Sequence, residues 1–266
     1  MESLSVHKQL PLSVQLYSVR SLLKEDLSAT LKGISDTGLK HVEWFGGYAG
    51  YEPKELVEYL NSINLSVSGK HLGSNDLLNP DSLPYKYARA FGNKFMILSL
   101  LLNPDNLTDM AKTLREINRV ATGEGFQFCY HNHAHEFVKM PDGTILLDRL
   151  FEICPEISFQ FDVFFCSFMG FDACEYLKRF KGRVPLVHFN DMLPEDQRDT
   201  GSTDGMDYSP ELGTGIIDLH AIYKTACETG VEMIVLEQHK LRENPIDSVR
   251  SNVAYYNKIL AVFSVS

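Results

Sequence analysis

The chain has 266 residues, 44% of them hydrophobic and 23% charged, so it is too apolar for disorder and long enough to bury a full core without staples. Its formal charge of −10 argues against a sequence-independent grip on nucleic acid, which needs a basic surface to displace counterions from phosphates. Five cysteines without a CxxC pair argue against a disulfide framework or a thiolate zinc knot. The N-terminal MESLSVHKQLPLSVQLYSVR has no basic start followed by an apolar run, and no stretch approaches membrane-spanning length, so a cytoplasmic protein without a membrane partner is expected. The sequons at Asn64 and Asn106 read as chance matches.

In chain order, the strand pattern begins at Leu12–Leu16 and recurs at His41–Trp44, Ser66–Leu72, Lys94–Leu101, Phe126–Tyr130, Ile157–Val163, Val184–Phe189 and Met233–Leu236. Such continuous apolar runs suit a parallel sheet covered on both faces. Helical spacing fills the gaps: Leu56, Val57, Leu60 and Ile63; then Leu107, Met110, Ala111, Leu114 and Ile117; then Leu219, Ile222, Tyr223 and Ala226. Thr37-Gly38 and Thr229-Gly230 read as helix ends. Strict alternation predicts an α/β fold, a single (β/α)8 TIM barrel of parallel strands spanning 1–266, with a doubly wound open sheet as the alternative. The first strand is not followed by a glycine-rich dinucleotide loop, which counts against the open sheet. Two irregular stretches, Lys139–Ile145 and Met192–Thr214, follow chemistry-bearing strands and read as parts of an active-site lid.

Active sites of such barrels lie at the C-terminal ends of the strands. There the last four strands present Glu136, Asp162, His188 and Glu237. From Glu136 to Asp162 is 26 residues and from Asp162 to His188 again 26, one strand–helix unit each. Three carboxylates and an imidazole converging on one rim repel unless a cation sits among them. Mixed oxygen and nitrogen donors suit manganese first, with magnesium, cobalt or zinc as alternatives. Each residue taken alone also fits a rim position in its own hydrogen bond.

The segments VQLYSVR, HVEW, YHNHAHEF, FDVFF, GRVPLVHFND, ELGTGIIDL and IVLEQ resemble, over nearly the whole chain, the xylose-isomerase-like barrel superfamily. That group contains sugar phosphate isomerases and epimerases, inosose dehydratase and endonuclease IV. The resemblance implies a metal held by Glu136, Asp162, His188 and Glu237, with Cys129 as the alternative to Glu136. It implies proton transfer beside a metal-polarised carbonyl of a sugar or polyol, Glu136 and Glu237 being the catalytic pair. Isomerisation or epimerisation is the first expectation, and dehydration of an inosose or a keto-glycoside the alternative. Such barrels also pair into dimers or tetramers.

Around the same rim, His131, His133, Lys70, His71, Glu43 and Tyr17 are candidate substrate contacts, each with a structural alternative. Nothing near Lys70 in sequence supplies the apolar surroundings that would lower its pKa for Schiff-base chemistry. Trp44 fits either a sugar-stacking face or the core. Asn190 stands where many relatives carry a substrate-contacting lysine, and Asp191 beside it would orient His188 or cap the next loop. Gly213-Thr214-Gly215 is a weak candidate for a phosphate cradle, a plain loop-to-helix turn being the better reading. Arg183, at the other end of the barrel, reads as a stability residue. An endonuclease-like reading is disfavoured by Phe165, where those enzymes need a histidine, and by the net charge.

Overall fold

The computed structural model describes residues 9–198, 206–240 and 242–264. Eight parallel strands, β1 (Leu12–Gln15), β2 (His41–Trp44), β3 (Ser66–Leu72), β4 (Phe95–Ser99), β5 (Gln127–His131), β6 (Ser158–Asp162), β7 (Leu186–Phe189) and β8 (Met233–Leu236), close into one barrel. Closure is made by β1 pairing with β8, Val14 opposite Leu236, which rules out the open sheet. All eight strands lie where the apolar runs predicted, with ends displaced by a few residues. β4 stops before Leu100 and Leu101, which are exposed, Leu101 at the cavity wall. β7 starts after Pro185, which has no N–H to give to a ladder.

The helices between strands bury the stripes read from spacing. Helix Leu107–Gly123 buries Leu107, Met110, Ala111, Leu114 and Ile117. Helix Leu219–Thr229 is capped by Asp218, whose carboxylate accepts from the Ala221 amide at 3.0 Å, and is ended by Gly230 at φ 92°, a conformation that glycine adopts without a Cβ penalty. Among the described residues no helix is long and apolar enough to cross a membrane.

Inside the barrel, strand alternation builds layers. Phe95, Ile97, Cys129, Leu186 and Val235 form a closed apolar cluster in the lower part. Two residues further along the same strands the inward positions turn polar, at Ser99, His131, His188 and Glu237. Gly69 belongs to the lower level because a Cβ there would come within 2.7 Å of Ile97 Cδ1. Cys129 sits in this apolar layer, where burial pushes its thiol well above the ordinary range, one level below the polar row.

At the opposite end, Arg183 ties the loop after Leu146–Ile153 to β6. Its guanidinium donates to the carbonyls of Phe151 (3.3 Å), Cys154 (2.9 Å) and Ile157 (3.0 Å) and lies 4.9 Å from the Phe151 ring centroid. Arg183→Met is expected to lower the unfolding free energy in urea by about 1.5–3 kcal/mol, the worth of hydrogen bonds to a charged group. Metal content should not change. Unaltered stability would remove Arg183 from the scaffold.

Candidate metal centre and active site

The polar layer is organised around Glu43, a fully buried carboxylate near the end of β2. Its Oε1 accepts from Gln15 Nε2 (2.7 Å) and His188 Nε2 (2.8 Å), and its Oε2 accepts from Gln160 Nε2 (2.6 Å). His71 Nε2 lies 2.9 Å from both Glu43 Oε1 and Gln160 Oε1. Burial pushes the Glu43 carboxyl up, but His188 and His71 outweigh it and hold it well below the usual range. With Nε2–H committed to Glu43, His188 turns Nδ1 the other way, to 2.8 Å from Glu237 Oε2 and 3.8 Å from Asp162 Oδ2. A ring whose far nitrogen is anchored on a carboxylate is the usual arrangement of a metal-binding histidine.

Asp162 is held as firmly. Its Oδ1 accepts from the Phe164 (2.8 Å) and Phe165 (3.2 Å) amides, capping helix Val163–Phe168. Its own amide donates to Asn132 Oδ1 at 2.9 Å. One donor atom from each of His131, Asp162, His188 and Glu237 lies within 4.8 Å of every other, and all four residues are buried. Burial, and next the Glu237 charge, raise Asp162 to about 8. Burial also pushes Glu237 up, but the His188 and His239 charges and the His188 hydrogen bond bring it down to about 2. Burial opposes protonation of His188, yet Glu43 and Glu237 overcome it and hold the ring protonated. His131 is kept neutral by burial and by its histidine neighbours, and its buried Nδ1 has no hydrogen-bond partner. Two carboxylates and two imidazoles crowded out of water, one with an orphaned nitrogen, fit a divalent cation. A second group, His71, His131 and His188, fits less well because the Nε2 atoms of His71 and His188 are already engaged with Glu43.

The expected quartet therefore gathers only in part. Asp162, His188 and Glu237 come together; Glu136 does not. It lies five residues beyond the end of β5, in the turn Ala134–Phe137, with its carboxylate occupied. The Leu102 amide (3.1 Å) and the Tyr130 hydroxyl (2.8 Å) approach Oε1, and the His133 amide donates to Oε2 at 2.7 Å. Glu136 thus ties the loop after β4 to the loop after β5, and burial raises its pKa. His131, the last residue of β5, takes its place in the donor group.

A cavity of about 690 Å³ opens above this layer. His131 and Glu237 line it, as do four residues expected to meet substrate: Tyr17, Lys70, His71 and His133. Glu43 and Asn190 do not. Glu43 is sealed inside the barrel against His188, and Asn190 lies buried, donating to Asp162 Oδ2 at 3.2 Å. His133 is brought to about 4 by burial and presents Nε2 3.2 Å from Ser99 Oγ. Trp44 is core, packed on Phe91 at 5.1 Å between centroids.

Lys70 reverses the expectation about its surroundings. It is 2% exposed, its Nζ lies 4.5 Å from the Tyr48 ring centroid, and burial lowers it to about 7. The glycine loop is also reassigned. The Gly213 (2.8 Å) and Gly215 (2.9 Å) amides donate to Asp191 Oδ2, and those of Met192 (2.8 Å) and Ile217 (3.1 Å) to Oδ1, so the loop cradles a side chain of the protein itself. A Cβ on Gly215 would fall 2.3 Å from Asp191 Oδ1. Of the two lid candidates, Lys139–Ile145 is a pinned turn, with Lys139 and Ile145 bridged and Asp142 held by Arg149 at 2.8 Å, and none of its residues lines the cavity. In the segment Met192–Thr214, residues 199–205 lie outside the described residues, and Met206 lines the cavity. Gln15, Gln160 and His239 escaped the sequence reading. His239 lines the cavity, packs on Phe165 at 5.3 Å and meets Asn190 Nδ2 through Nε2 at 3.1 Å.

No protein-family model matches the chain. Inosose dehydratase from Clostridium perfringens is 27% identical over 226 residues, covering 77% of this chain and 71% of that protein. The structure superposes on a sugar phosphate isomerase/epimerase from Parabacteroides distasonis with a TM-score of 0.72 at 19% identity, over 94% of each chain. It superposes on an IolI protein with a bound zinc atom with a TM-score of 0.71 at 14% identity, over 96% of this chain and 99% of that one. The fold is that of the xylose-isomerase-like TIM barrels, as the motifs implied.

Elemental analysis is expected to find one divalent ion per chain, lost in Asp162→Asn and His188→Gln but kept in Glu136→Gln, which should instead unfold more easily. Because the protons on Asp162 and His188 must leave before a cation enters, affinity should rise with pH toward about 8, where Asp162 titrates. It should continue to rise while His188, held well above the ordinary imidazole range, gives up its proton. Metal loss in Glu136→Gln at undiminished stability would restore that residue as a ligand.

Proposed function

We propose that the chain is a divalent-metal-dependent lyase that dehydrates a polyhydroxylated ketone. The observation that carries this reading is that His131, not a second carboxylate, accompanies Glu237 where the donor group meets the cavity. His131, Asp162, His188 and Glu237 would hold the cation. When bound, the cation supplies Lewis-acid polarisation of the substrate carbonyl and fixes its orientation. Two imidazoles among four donors favour zinc or cobalt over magnesium, with manganese between them.

The residues of the chain supply the proton chemistry. Glu237, a carboxylate at neutral pH and on the cavity wall, takes the proton from the carbon beside the carbonyl. The electron pair moves into the new carbon–carbon double bond as the β-hydroxyl leaves, and the proton collected by Glu237 goes to that hydroxyl, so water departs from the same face. His133, uncharged near pH 7, offers hydrogen bonding to a substrate hydroxyl without adding charge. Tyr17 and Phe165 give the wall apolar faces for the carbon skeleton. Likeness to an inosose dehydratase at 27% identity supports a polyol ketone as substrate class.

Isomerisation is the second reading. Returning the same proton to the neighbouring carbon also needs one base, so Glu237 serves both reactions. Epimerisation needs a further proton carrier on the opposite face of the substrate, and Glu237 is the one carboxylate of the donor group that lines the cavity. Incubating the metal-loaded protein with inososes, ketoses and keto-glycosides in deuterated water separates the two. Loss of one water from the substrate is expected. Deuterium exchange beside the carbonyl with mass otherwise retained would replace the lyase with an isomerase. Glu237→Gln, reloaded with metal, should lose about 10²–10⁴-fold in turnover, the usual contribution of a general base.

A further inference from the structure

Among the described residues, Lys70 is the one lysine or arginine that lines the cavity. It stands near the end of β3, yet its side chain leaves the barrel axis and lies over Tyr48, with Trp44 at 6.0 Å. Its ammonium has three donors, and the contact made to it is the Gly46 carbonyl at 3.3 Å. Among the described residues no carboxylate pairs with it; Asp76, on the same wall, acts on it only through space. The hydroxyl of Tyr48, which also lines the cavity, is buried and without a hydrogen-bond partner. A buried ammonium with a single long hydrogen bond and a buried phenol with none, both from residues on the wall of one cavity, leave an unfilled demand for an acceptor.

We infer that Lys70 and Tyr48, with the loop at Gly46, form a subsite for a carboxylate of the substrate, so that the polyol ketone is a sugar acid or a carboxylated carbocycle. This rests on the reading of the cavity as a substrate site. One ammonium matches one negative charge. A phosphate calls for more, from further cations or a nest of amides at a helix start, and the glycine loop with such amides is already filled by Asp191. The aromatic face of Tyr48 holds the ammonium from one side and leaves its remaining hydrogens to the ligand. At about 690 Å³ the cavity leaves room for a substituent beyond the sugar ring held at the donor group.

The test is calorimetric titration of the metal-loaded protein with neutral and acidic partners: glucose against glucuronate, galactose against galacturonate, and glucose 6-phosphate as the phosphate arm. At least one acid should bind about tenfold or more tightly than its neutral partner, a preference that falls to within about twofold in both Lys70→Met and Lys70→Gln. Metal content and melting temperature of the variants report that site and fold survive. The subsite is wrong if no acid is preferred, if the phosphate binds better than both acids, or if the preference survives in the variants, because the cation would then be holding the carboxylate. A protein that binds acids as expected but dehydrates nothing would overturn the lyase and leave the subsite standing.

Discussion

The hydrogen bond from His188 Nε2 to Glu43 Oε1, 2.8 Å long and sealed from water, is the contact on which the rest of the site depends. It fixes which ring nitrogen faces the cavity side, and with it the convergence of Nδ1 on Asp162 and Glu237. A lone buried carboxylate would be expensive, and Glu43 is tolerated because strands from across the barrel bring it partners: Gln15 from β1, His71 from β3, Gln160 from β6 and His188 from β7. Those strands meet only in a closed barrel with this inward parity. A one-residue slip in any of them would exchange the polar inward row for its apolar neighbours. The apolar layer beneath, with Cys129 and Ile97, is the same parity two residues earlier.

Buried polar networks are strong when every member is satisfied and costly when one is not. The lower half of this network is satisfied. The upper half, where Asp162, Glu237 and His188 share protons and His131 Nδ1 has no partner, is not. Two further buried atoms without a partner, Asn132 Nδ2 and Asn190 Oδ1, belong to the amides that hold Asp162. The imbalance is the expected form of a site that is completed by something bound, and it explains why the scaffold residues Asn132, Asn190 and Gln15 are all amides: they orient the ionised groups without adding charge.

Much of this was legible in the sequence because parallel strands are short and their ends predictable. That Asp162, His188 and Glu237 share one rim was readable from strand ends alone, and β8 was bounded to the residue. Glu136 was misplaced because its 26-residue spacing to Asp162 imitates a strand–helix unit, whereas β5 runs one residue further than its apolar pattern, to His131. Glu43 was placed in the pocket because contacts across a barrel, here between β2 and β7, leave no trace in local pattern. Lys70 was misjudged for the same reason. Its apolar cover comes from Tyr48 and from the ring Tyr48 stacks on, Tyr87, 3.4 Å away between centroids, and neither is a sequence neighbour. The glycine loop gave no hint of its occupant because Asp191 precedes Gly213 by 22 residues.

The exchange of a carboxylate for His131 has an electrostatic consequence that bears on the chemistry. Two carboxylates balance a divalent cation; three would leave the centre one unit more negative. A unit charge at about 4 Å, at an effective dielectric of about 20, is worth about 4 kcal/mol, and a developing enolate feels that difference directly. A neutral centre is the better electrophile, and it attains this by giving up a base. Elimination tolerates that loss because one carboxylate can take the carbon-bound proton and hand it to the departing hydroxyl. Inversion at carbon calls for a second proton carrier on the opposite face, and a single carboxylate of the donor group reaches the cavity. Under the lyase proposed above, charge at the donor group and number of carboxylate bases are one variable, set by the last residue of β5.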